Sequence, residues 1–414
     1  MRIAFVVGQF PLLSETFVLS QITGMIDRGH QVTVFAHRPT PKGKIHPDVT
    51  RYELSRVTCY WPPSPRSLRE LSSLTRRLAS WAASKRLAGL GALLRSLDPR
   101  LPGTGIELAQ MALVALEAGP FDVILCHFGH VALEVDRLRE LGAITGKLVT
   151  VFHAYDLTVL LGEQGEGVYE QLFRQGDLFL PISRHWKQRL TDLGCPQERL
   201  AVHHMGIDTG RFPFAERRLE AGEDVTLVSV ARLVEKKGLE HAIRAVATLR
   251  DRKLPVSYTI AGDGPLRAQL QGLARELGLD REVKLLGPID QDEVGRLLSK
   301  ADVLVAPSVT AKNGDQEGIP VSIMEGMALG LPVVSTWHSG ISELVEDGVS
   351  GYLVPEGDSD MLADRIGRLI AEPKRRADMG HAGRRIVERD FDVDRLNDQL
   401  ADRLESLLPG SVGS

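Results

Sequence analysis

Two basic residues in the second half of the chain have the types and spacing to neutralise a diphosphate. Arg232 and Lys237 lie five residues apart in the segment ARLVEKKG, between a predicted strand at Val225–Val230 and a predicted helix at Lys237–Arg252. A forked guanidinium and a compact ammonium together suit a diphosphate group. From these two residues alone, a solvated charged loop is an equally good interpretation.

Two glutamates eight residues apart, Glu317 and Glu325, flank a predicted helix start in the segment EGIPVSIME. Glu317 falls in the loop before the helix, where a carboxylate can accept hydrogen bonds from sugar hydroxyls. Glu325 stands on an otherwise apolar helix, and a buried carboxylate needs partners such as ribose hydroxyls; an exposed glutamate fits these neighbours less well. The free N–H groups of the first helical turn suit a phosphate, and three residues lead into that turn: Gly318, Ile319 and Pro320.

Glycines follow other predicted strands of this half. Gly262 and Gly264 come directly after Val256–Ala261, and Gly287 comes after Val283–Leu286. Glycine lets a ligand approach the backbone closely, although for GDGP taken alone a plain strand-to-helix turn is the better interpretation. The chain has 40 glycines in 414 residues, about 10% against a usual ~7%, and many lie at predicted strand or helix ends.

The first half of the chain also carries polar residues at strand ends. His153 follows the predicted strand Leu148–Phe152, a position that favours a functional role over that of a buried structural histidine. Ser14 is in addition the expected N-cap of a helix over Glu15–Arg28. The candidate residues for an acceptor cleft in this half are Gly8, Phe10, Ser14, Glu15, Tyr155, Asp156 and Ser183.

Short apolar runs alternate with longer amphipathic stretches along the whole chain. This rhythm predicts an α/β fold with two doubly wound Rossmann-like domains that face a central cleft, where strand ends meet helix N-termini. We expect one domain at 1–210 and a second at 211–390, which begins with a charged linker at 211–224. A C-terminal helix at 391–414 is expected to pack on the first domain. The predicted strands are Arg2–Val7, Gln31–Ala36, Val123–Cys126, Leu148–Phe152, Leu178–Pro181, Val225–Val230, Val256–Ala261, Val283–Leu286, Val303–Ala306, Pro332–Ser335 and Gly351–Val354.

Composition excludes several classes of protein. The net charge of −4 argues against nucleic acid as a partner. Three dispersed cysteines, Cys59, Cys126 and Cys195, suggest neither a zinc site nor a disulfide framework. About five apolar residues before Gly8 are too few for a signal peptide, and no apolar run approaches a membrane span. We therefore expect a cytoplasmic location.

One segment departs from the overall charge. Residues 61–100 are helical in period and contain eight Lys or Arg against two acidic residues, a balance of +6. A solvated helical face is the simpler interpretation. The alternative is peripheral contact with an anionic membrane at its inner face, where each basic residue contributes ~1 kcal/mol.

Several of these segments together resemble one family. ARLVEKKG, AGDGP, EGIPVSIMEGMALGLPVVST and ELVEDGVSGYLV are similar to the motifs of the retaining GT4-type glycosyltransferases, which have the two-domain GT-B fold, and the resemblance covers nearly the whole chain. The opening GQFPLLSETFV resembles the branch that acts in bacterial exopolysaccharide assembly, including colanic-acid-type and amylovoran-type enzymes.

The resemblance implies a nucleotide diphosphate sugar as co-substrate, UDP- or GDP-linked, with no further cofactor. Arg232 and Lys237 would neutralise the diphosphate, Glu317 would hold donor-sugar hydroxyls, and Glu325 the ribose. Residues 318–320 would face a phosphate, and the loops at 262–264 and 287 would lie by the base and ribose. His153 would donate a hydrogen bond to a sugar hydroxyl beside the anomeric carbon.

The acceptor implied by the resemblance is a saccharide, free or linked to a polyprenyl diphosphate, bound near residues 8–15. Many relatives have a Gly-Gly pair in the first loop, whereas here Gly8 is followed by Gln9. No DxD motif stands by the donor residues, and the two cations can replace Mg²⁺, so we expect no metal. The alternatives are a sugar-nucleotide epimerase on a similar fold, an enzyme with a small-molecule acceptor, a Rossmann dehydrogenase, which lacks its GxGxxG here, and an inactive donor-binding subunit.

Overall fold

The computed structural model describes residues 1–12, 15–40, 46–62, 87–97, 105–216 and 224–409. This part of the chain forms two six-stranded sheets, each parallel throughout. The first sheet contains β1 (Arg2–Phe10), β2 (Gln31–Pro39), β3 (Thr58–Tyr60), β4 (Val123–His127), β5 (Lys147–Phe152) and β6 (Leu178–Pro181). The second contains β7 (Val225–Val230), β8 (Val256–Ala261), β9 (Val283–Gly287), β10 (Val303–Ala306), β11 (Val333–Thr336) and β12 (Gly351–Val354).

Helices cover both sheets. Those of the first half are α1 (Thr16–Asp27), α2 (Pro47–Arg51), α3 (Leu87–Ser96), α4 (Ile106–Ala118), α5 (Gly129–Leu141), α6 (Ala154–Leu157), α7 (Val159–Gln164), α8 (Glu170–Gln175) and α9 (Arg184–Asp192). Those of the second half are α10 (Leu239–Asp251), α11 (Arg267–Glu276), α12 (Gln291–Ser299), α13 (Val321–Ala328), α14 (Ile341–Leu344), α15 (Ser359–Ala371), α16 (Pro373–Asp390) and α17 (Val393–Ser406).

The two sheets have the same topology. Their strand orders are β3-β2-β1-β4-β5-β6 and β12-β11-β10-β7-β8-β9. In each sheet the order reverses between the two central strands, β1 and β4 or β7 and β10. A ligand crevice forms at such a reversal, off the carboxyl ends of the strands. The predicted fold class, two doubly wound α/β domains, is confirmed.

The strands are apolar on both faces because helices cover both faces of a parallel sheet. In β1, residues 3–7 are all buried in the core of the first domain. The last helix joins this core, since Leu400 and Leu404 of α17 belong to it. The chain thus returns to its first domain after completing the second. Among the described residues, no helix is both long and apolar enough to cross a membrane.

The predictions for the first three strands were wrong. β1 continues beyond Val7 to Phe10, because Gln9 and Phe10 pair with Arg38 and Pro39 of an equally extended β2. The short strand β3 was not predicted. The N-cap of α1 is Glu15 and the helix begins at Thr16. The predicted N-cap Ser14, residues 63–86 and 98–100 of the basic segment, and residues 217–223 of the expected linker lie outside the described residues.

Candidate active site

The loop between β7 and α10 carries the two predicted diphosphate ligands. Arg232 is exposed, and Lys237 ends a 3₁₀ turn over Glu235–Lys237. Gly238 follows with φ +57°, and a Cβ there would lie 1.9 Å from the carbonyl oxygen of Pro307. Only glycine allows this approach, so the loop is pressed against the end of β10.

The loop from β10 to α13 folds onto the same lysines. Lys237 Nζ donates to Glu317 Oε2 at 2.8 Å. Lys236 Nζ bonds Asp315 Oδ1 at 3.0 Å and lies 3.7 Å from Glu317 Oε1. Burial alone would raise the pKa of the Glu317 carboxyl, but Lys237 and Lys236 hold this pKa below its usual range. Glu317 is therefore a buried, ionised carboxylate.

Glu317 has spare capacity to accept a hydrogen bond. Its Oε1 is buried and accepts none from the described residues. Its backbone is fixed on both sides, because Glu317 N donates to His338 Nε2 at 3.0 Å and Ser339 Oγ donates to Glu317 O at 2.6 Å. His338 Nδ1 in turn donates to Glu356 Oε1 at 2.5 Å, which leaves Nε2 as the acceptor. A rigid carboxylate with one open lone-pair position suits a hydroxyl donor.

The start of α13 lies directly after this carboxylate. Pro320 occupies the N-cap position, and no described side chain caps the helix. The first N–H groups of α13 therefore remain available to an anion at the positive end of the helix dipole.

Glu325 lies one turn further along α13 and is buried. Gln291 Nε2 donates to its Oε1 at 2.6 Å. Burial raises the pKa of the Glu325 carboxyl to about 7, against smaller opposing effects of Gln291 and Arg211. The side chain lines a cavity of about 290 Å³ between the domains, whose other walls include Thr16 of α1.

His153 lies at the end of β5 in the first domain, and it is buried beside a second histidine. His127 Nδ1 and His153 Nε2 are 3.2 Å apart. Burial lowers the pKa of His127 to about 3 and holds that of His153 well below its usual value. Both imidazoles are therefore neutral near pH 7, and one proton lies between the facing nitrogens.

The β5–β6 edge of the first domain meets the Glu317 segment of the second. Phe152 pairs with Pro181 in the sheet, so His153 and Ile182 leave adjacent strand ends. A Cβ at Gly318 would lie 2.5 Å from Ile182 Cδ1. The domain that carries His153 thus packs directly on the segment that carries Glu317.

Comparisons with known proteins identify the family to which the chain belongs. Residues 212–386 match the family model "Glycosyl transferases group 1", and residues 14–206 match "Glycosyl transferase 4-like domain". The putative colanic acid biosynthesis glycosyltransferase WcaL of Salmonella typhimurium is 40% identical over 98% of this chain and all of its own length. The chain belongs to the group 1 glycosyltransferases. The amylovoran biosynthesis glycosyltransferase AmsK of Erwinia amylovora is similar to it at the same identity and coverage.

Solved structures agree on the fold of this GT4 glycosyltransferase. Anabaena HepE in complex with UDP-glucose superimposes with a TM-score of 0.72 at 20% identity, over 98% of this chain and all of that one. The lipopolysaccharide outer core galactosyltransferase WaaB gives 0.67 at 16% identity, over 99% and 100%. The enzyme therefore has the GT-B fold, and as a GT4 member it is a retaining hexosyltransferase.

Three predicted cleft residues of the glycosyltransferase serve other roles. Phe10 is buried in the core of the first domain. Asp156 is fully buried and accepts from Gly129 N at 2.8 Å, and burial raises its pKa to about 8. Ser183 is buried as the N-cap of α9, where it accepts from Trp186 N. A strand-end position alone did not reveal that these side chains point inward.

Three other predicted cleft residues of the first domain, Gly8, Glu15 and Tyr155, are at least partly accessible. Gly8 lies within β1 with open space where a Cβ would be, and Tyr155 is exposed. Glu15 is partly buried, and burial raises the pKa of its carboxyl to about 7.

The two glycines after β8 pack against protein backbone. A Cβ at Gly262 would lie 1.8 Å from the carbonyl oxygen of Ala231, and one at Gly264 would lie 2.5 Å from that of Leu233. Gly262 N donates to Gly287 O at 2.8 Å. These glycines therefore allow the loops after β7, β8 and β9 to pack together. This role differs from the predicted one, which was close approach by a ligand.

Sequence reasoning missed four residues of the site. Lys236 is adjacent to a predicted residue and could have been included. The others are His127, Gln291 and His338, which reach predicted residues 26, 34 and 21 positions away in the chain. Such contacts arise from the fold, and no local pattern signals them.

The raised pKa of Glu325 predicts a pH-dependent gain in stability on substitution. The Glu325 carboxyl binds its proton more tightly in the folded chain than in the unfolded chain. The stability that this bound proton contributes is therefore lost as pH rises from about 4.5 through 7. Glu325→Gln should therefore increase the free energy of unfolding by about 2 kcal/mol more at pH 8 than at pH 5. Urea denaturation at both pH values measures this difference. The exposed Glu276→Gln is the control, and an equal effect of Glu325→Gln at both pH values would contradict the assignment.

Proposed function

We propose that this glycosyltransferase moves a hexose from a UDP- or GDP-linked donor to a saccharide acceptor, free or linked to a polyprenyl diphosphate, in exopolysaccharide assembly. The second domain binds the donor, and the first binds the acceptor. The names of the full-length relatives WcaL and AmsK support the exopolysaccharide role. The UDP-glucose complex of HepE supports a nucleotide sugar in the cleft.

The observation that carries this proposal is the buried Lys237–Glu317 pair at the start of α13. Glu317 Oε1 is available to a donor-sugar hydroxyl, and Lys237, on the same loop as Arg232, donates to the other oxygen of this carboxylate. A diphosphate at this point meets two cations and the free N–H groups of α13. Glu325 accepts from the ribose hydroxyls, which add to the hydrogen bond that its buried carboxylate receives from Gln291.

The chemistry of transfer requires little from the protein beyond charge and orientation. The bond between the anomeric carbon and the diphosphate oxygen breaks, and the acceptor hydroxyl oxygen bonds to that carbon on the same face. The acceptor proton passes to the departing phosphate oxygen. Arg232 and Lys237 stabilise the charge that develops on the leaving group.

A front-face reaction fits the residues around His153. A double displacement would need a carboxylate nucleophile, and the nearest candidate in sequence, Asp156, is fully buried and bonded to Gly129 N. The neutral His153 can donate to a sugar hydroxyl if its proton lies on Nδ1. His127 Nδ1 then donates to His153 Nε2, which leaves only an acceptor lone pair on the buried His127 Nε2.

A donor panel tests the proposed function. Purified enzyme is incubated with single UDP- and GDP-hexoses and a saccharide or polyprenyl-diphosphate acceptor extract, and released nucleoside diphosphate is measured. One donor should release nucleoside diphosphate in an acceptor-dependent manner. Conversion of a donor into its epimer without release would support the epimerase alternative and contradict transfer.

Transfer should not require a metal ion. Arg232 and Lys237 supply the positive charge that Mg²⁺ supplies in DxD enzymes, and the described residues hold no cluster of three or more His, Cys, Asp or Glu that could hold a metal. Full activity with the preferred donor in excess EDTA is the expected result. Loss of activity in EDTA that Mg²⁺ or Mn²⁺ restores would contradict this mechanism.

A further inference from the structure

The segment ELVEDG contains a carboxylate that crosses between the two domains. Glu343 lies on α14 of the second domain and is largely buried. Its Oε1 accepts from Arg184 N at 2.6 Å and from His185 N at 3.2 Å, both in the first domain. Its Oε2 accepts from His204 Nε2 at 3.0 Å. One side chain thus receives three hydrogen bonds from the opposite domain.

The physical basis of this contact is the start of α9. The first N–H groups of a helix lack partners within the helix, and its N-terminus carries partial positive charge. Ser183 caps one of these groups, but α9 has no acidic residue in its own first turn. Glu343 supplies that charge from the other domain. Hydrogen bonds to an ionised acceptor are roughly twice as strong as neutral ones.

The segment that carries Glu343 also holds the donor site. Five and four residues earlier, His338 accepts from Glu317 N, and Ser339 Oγ donates to Glu317 O and Gly318 O. Residues 338–343 therefore connect the backbone around Glu317 to the first turn of α9.

Close packing at this point leaves little freedom between the domains. A Cβ at Gly340 would lie 2.9 Å from Ser183 Cβ, and one at Gly318 would lie 2.5 Å from Ile182 Cδ1. Ile182 leaves β6 beside the end of β5, where His153 begins. The contacts of Glu343 thus hold the β5–β6 edge, which carries His153, against the segment that carries Glu317.

We propose that Glu343 is a positioning residue for sugar transfer, which holds the acceptor domain in register with the donor site without touching either substrate. This inference rests on the proposed function, in which the two domains bind different substrates. Loss of the Glu343 contacts misplaces the acceptor hydroxyl relative to the anomeric carbon but leaves the donor ligands on the second domain intact.

Three variants test this role. Glu343→Ala removes all three hydrogen bonds, whereas Glu343→Gln retains an oxygen for Arg184 N and His185 N. Glu346→Ala also removes one negative charge, but from an exposed position three residues further along the chain, and is the matched control. The readouts are kcat with the preferred donor, the Kd of UDP and GDP by calorimetry, and the thermal unfolding midpoint.

Glu343→Ala should lower kcat by about 10- to 100-fold, with the Kd of the nucleoside diphosphate unchanged within about twofold. Glu343→Gln should recover most of kcat, and Glu346→Ala should match the wild type. Wild-type kcat in Glu343→Ala would overturn the proposal, as would equal losses of kcat and of nucleotide binding in both Glu343 variants. Failure of the proposed function is distinct, since it would appear as absent UDP and GDP binding in the wild-type enzyme.

Discussion

Lys237→Ala should lower kcat by about 100- to 1,000-fold while the protein stays folded. The ammonium lies 2.8 Å from Glu317 Oε2 and is mostly buried, so its charge acts with little screening by water. Under the proposed function this charge faces, in the transition state, the oxygen that leaves with the diphosphate, where it has its largest effect. Release of nucleoside diphosphate from the preferred donor measures the loss.

Two further substitutions separate this effect from a general loss of charge. Lys284→Ala removes an exposed lysine from β9 of the same domain and should leave kcat unchanged. Lys237→Arg keeps the charge but changes its geometry, so kcat should fall between those of the wild type and Lys237→Ala. Near-normal kcat in Lys237→Ala would show that the diphosphate binds elsewhere.

Glu317→Ala should lower kcat by about 100-fold or more. The variant loses the acceptor for donor-sugar hydroxyls and leaves Lys236 and Lys237 without their buried counter-charge. Glu317→Gln keeps the shape of the side chain and should recover part of the binding of the donor but little of kcat. The exposed Glu276→Gln is the matched control, and turnover by Glu317→Ala at the wild-type rate would contradict the site.

Because Lys237 and Glu317 contact each other, their substitutions should not be additive. The double variant Lys237→Ala/Glu317→Ala should have a kcat close to that of Lys237→Ala, since the second change removes a partner that is already lost. A double variant whose loss equals the product of the two single losses would show that the residues act independently.

Much of the fold could be predicted because buried parallel strands are apolar on both faces. Val225–Val230, Val256–Ala261, Val303–Ala306 and Gly351–Val354 are strands with the predicted bounds. β3 escaped prediction because Thr58–Tyr60 has only three residues and no apolar run. The end of β1 was misplaced because Gly8 and Gln9 resemble a loop, whereas their conformation is set by pairing with β2, a contact about 30 residues distant.

The structure brings the predicted donor residues Lys237 and Glu317 into contact, a pairing that the sequence did not predict. Lys237 and Glu317 are charged, so their burial demands a partner, and each supplies the other. Strand-end position carries no information on whether a side chain points inward, which is why the burial of Phe10, Asp156 and Ser183 could not be predicted. The contact of Glu343 with α9 depends on how the two domains pack. Neither the sequence around Glu343 nor that of α9 indicates this contact.

The proposed function depends above all on the binding of the donor diphosphate by Arg232 and Lys237, which calorimetric titration of UDP, GDP and their nucleosides measures. One diphosphate should bind the wild-type enzyme at least about 10-fold more tightly than its nucleoside. This preference should disappear in the Arg232→Ala/Lys237→Ala double variant. Equal affinity of the wild-type and double-variant proteins for the diphosphate would contradict the account.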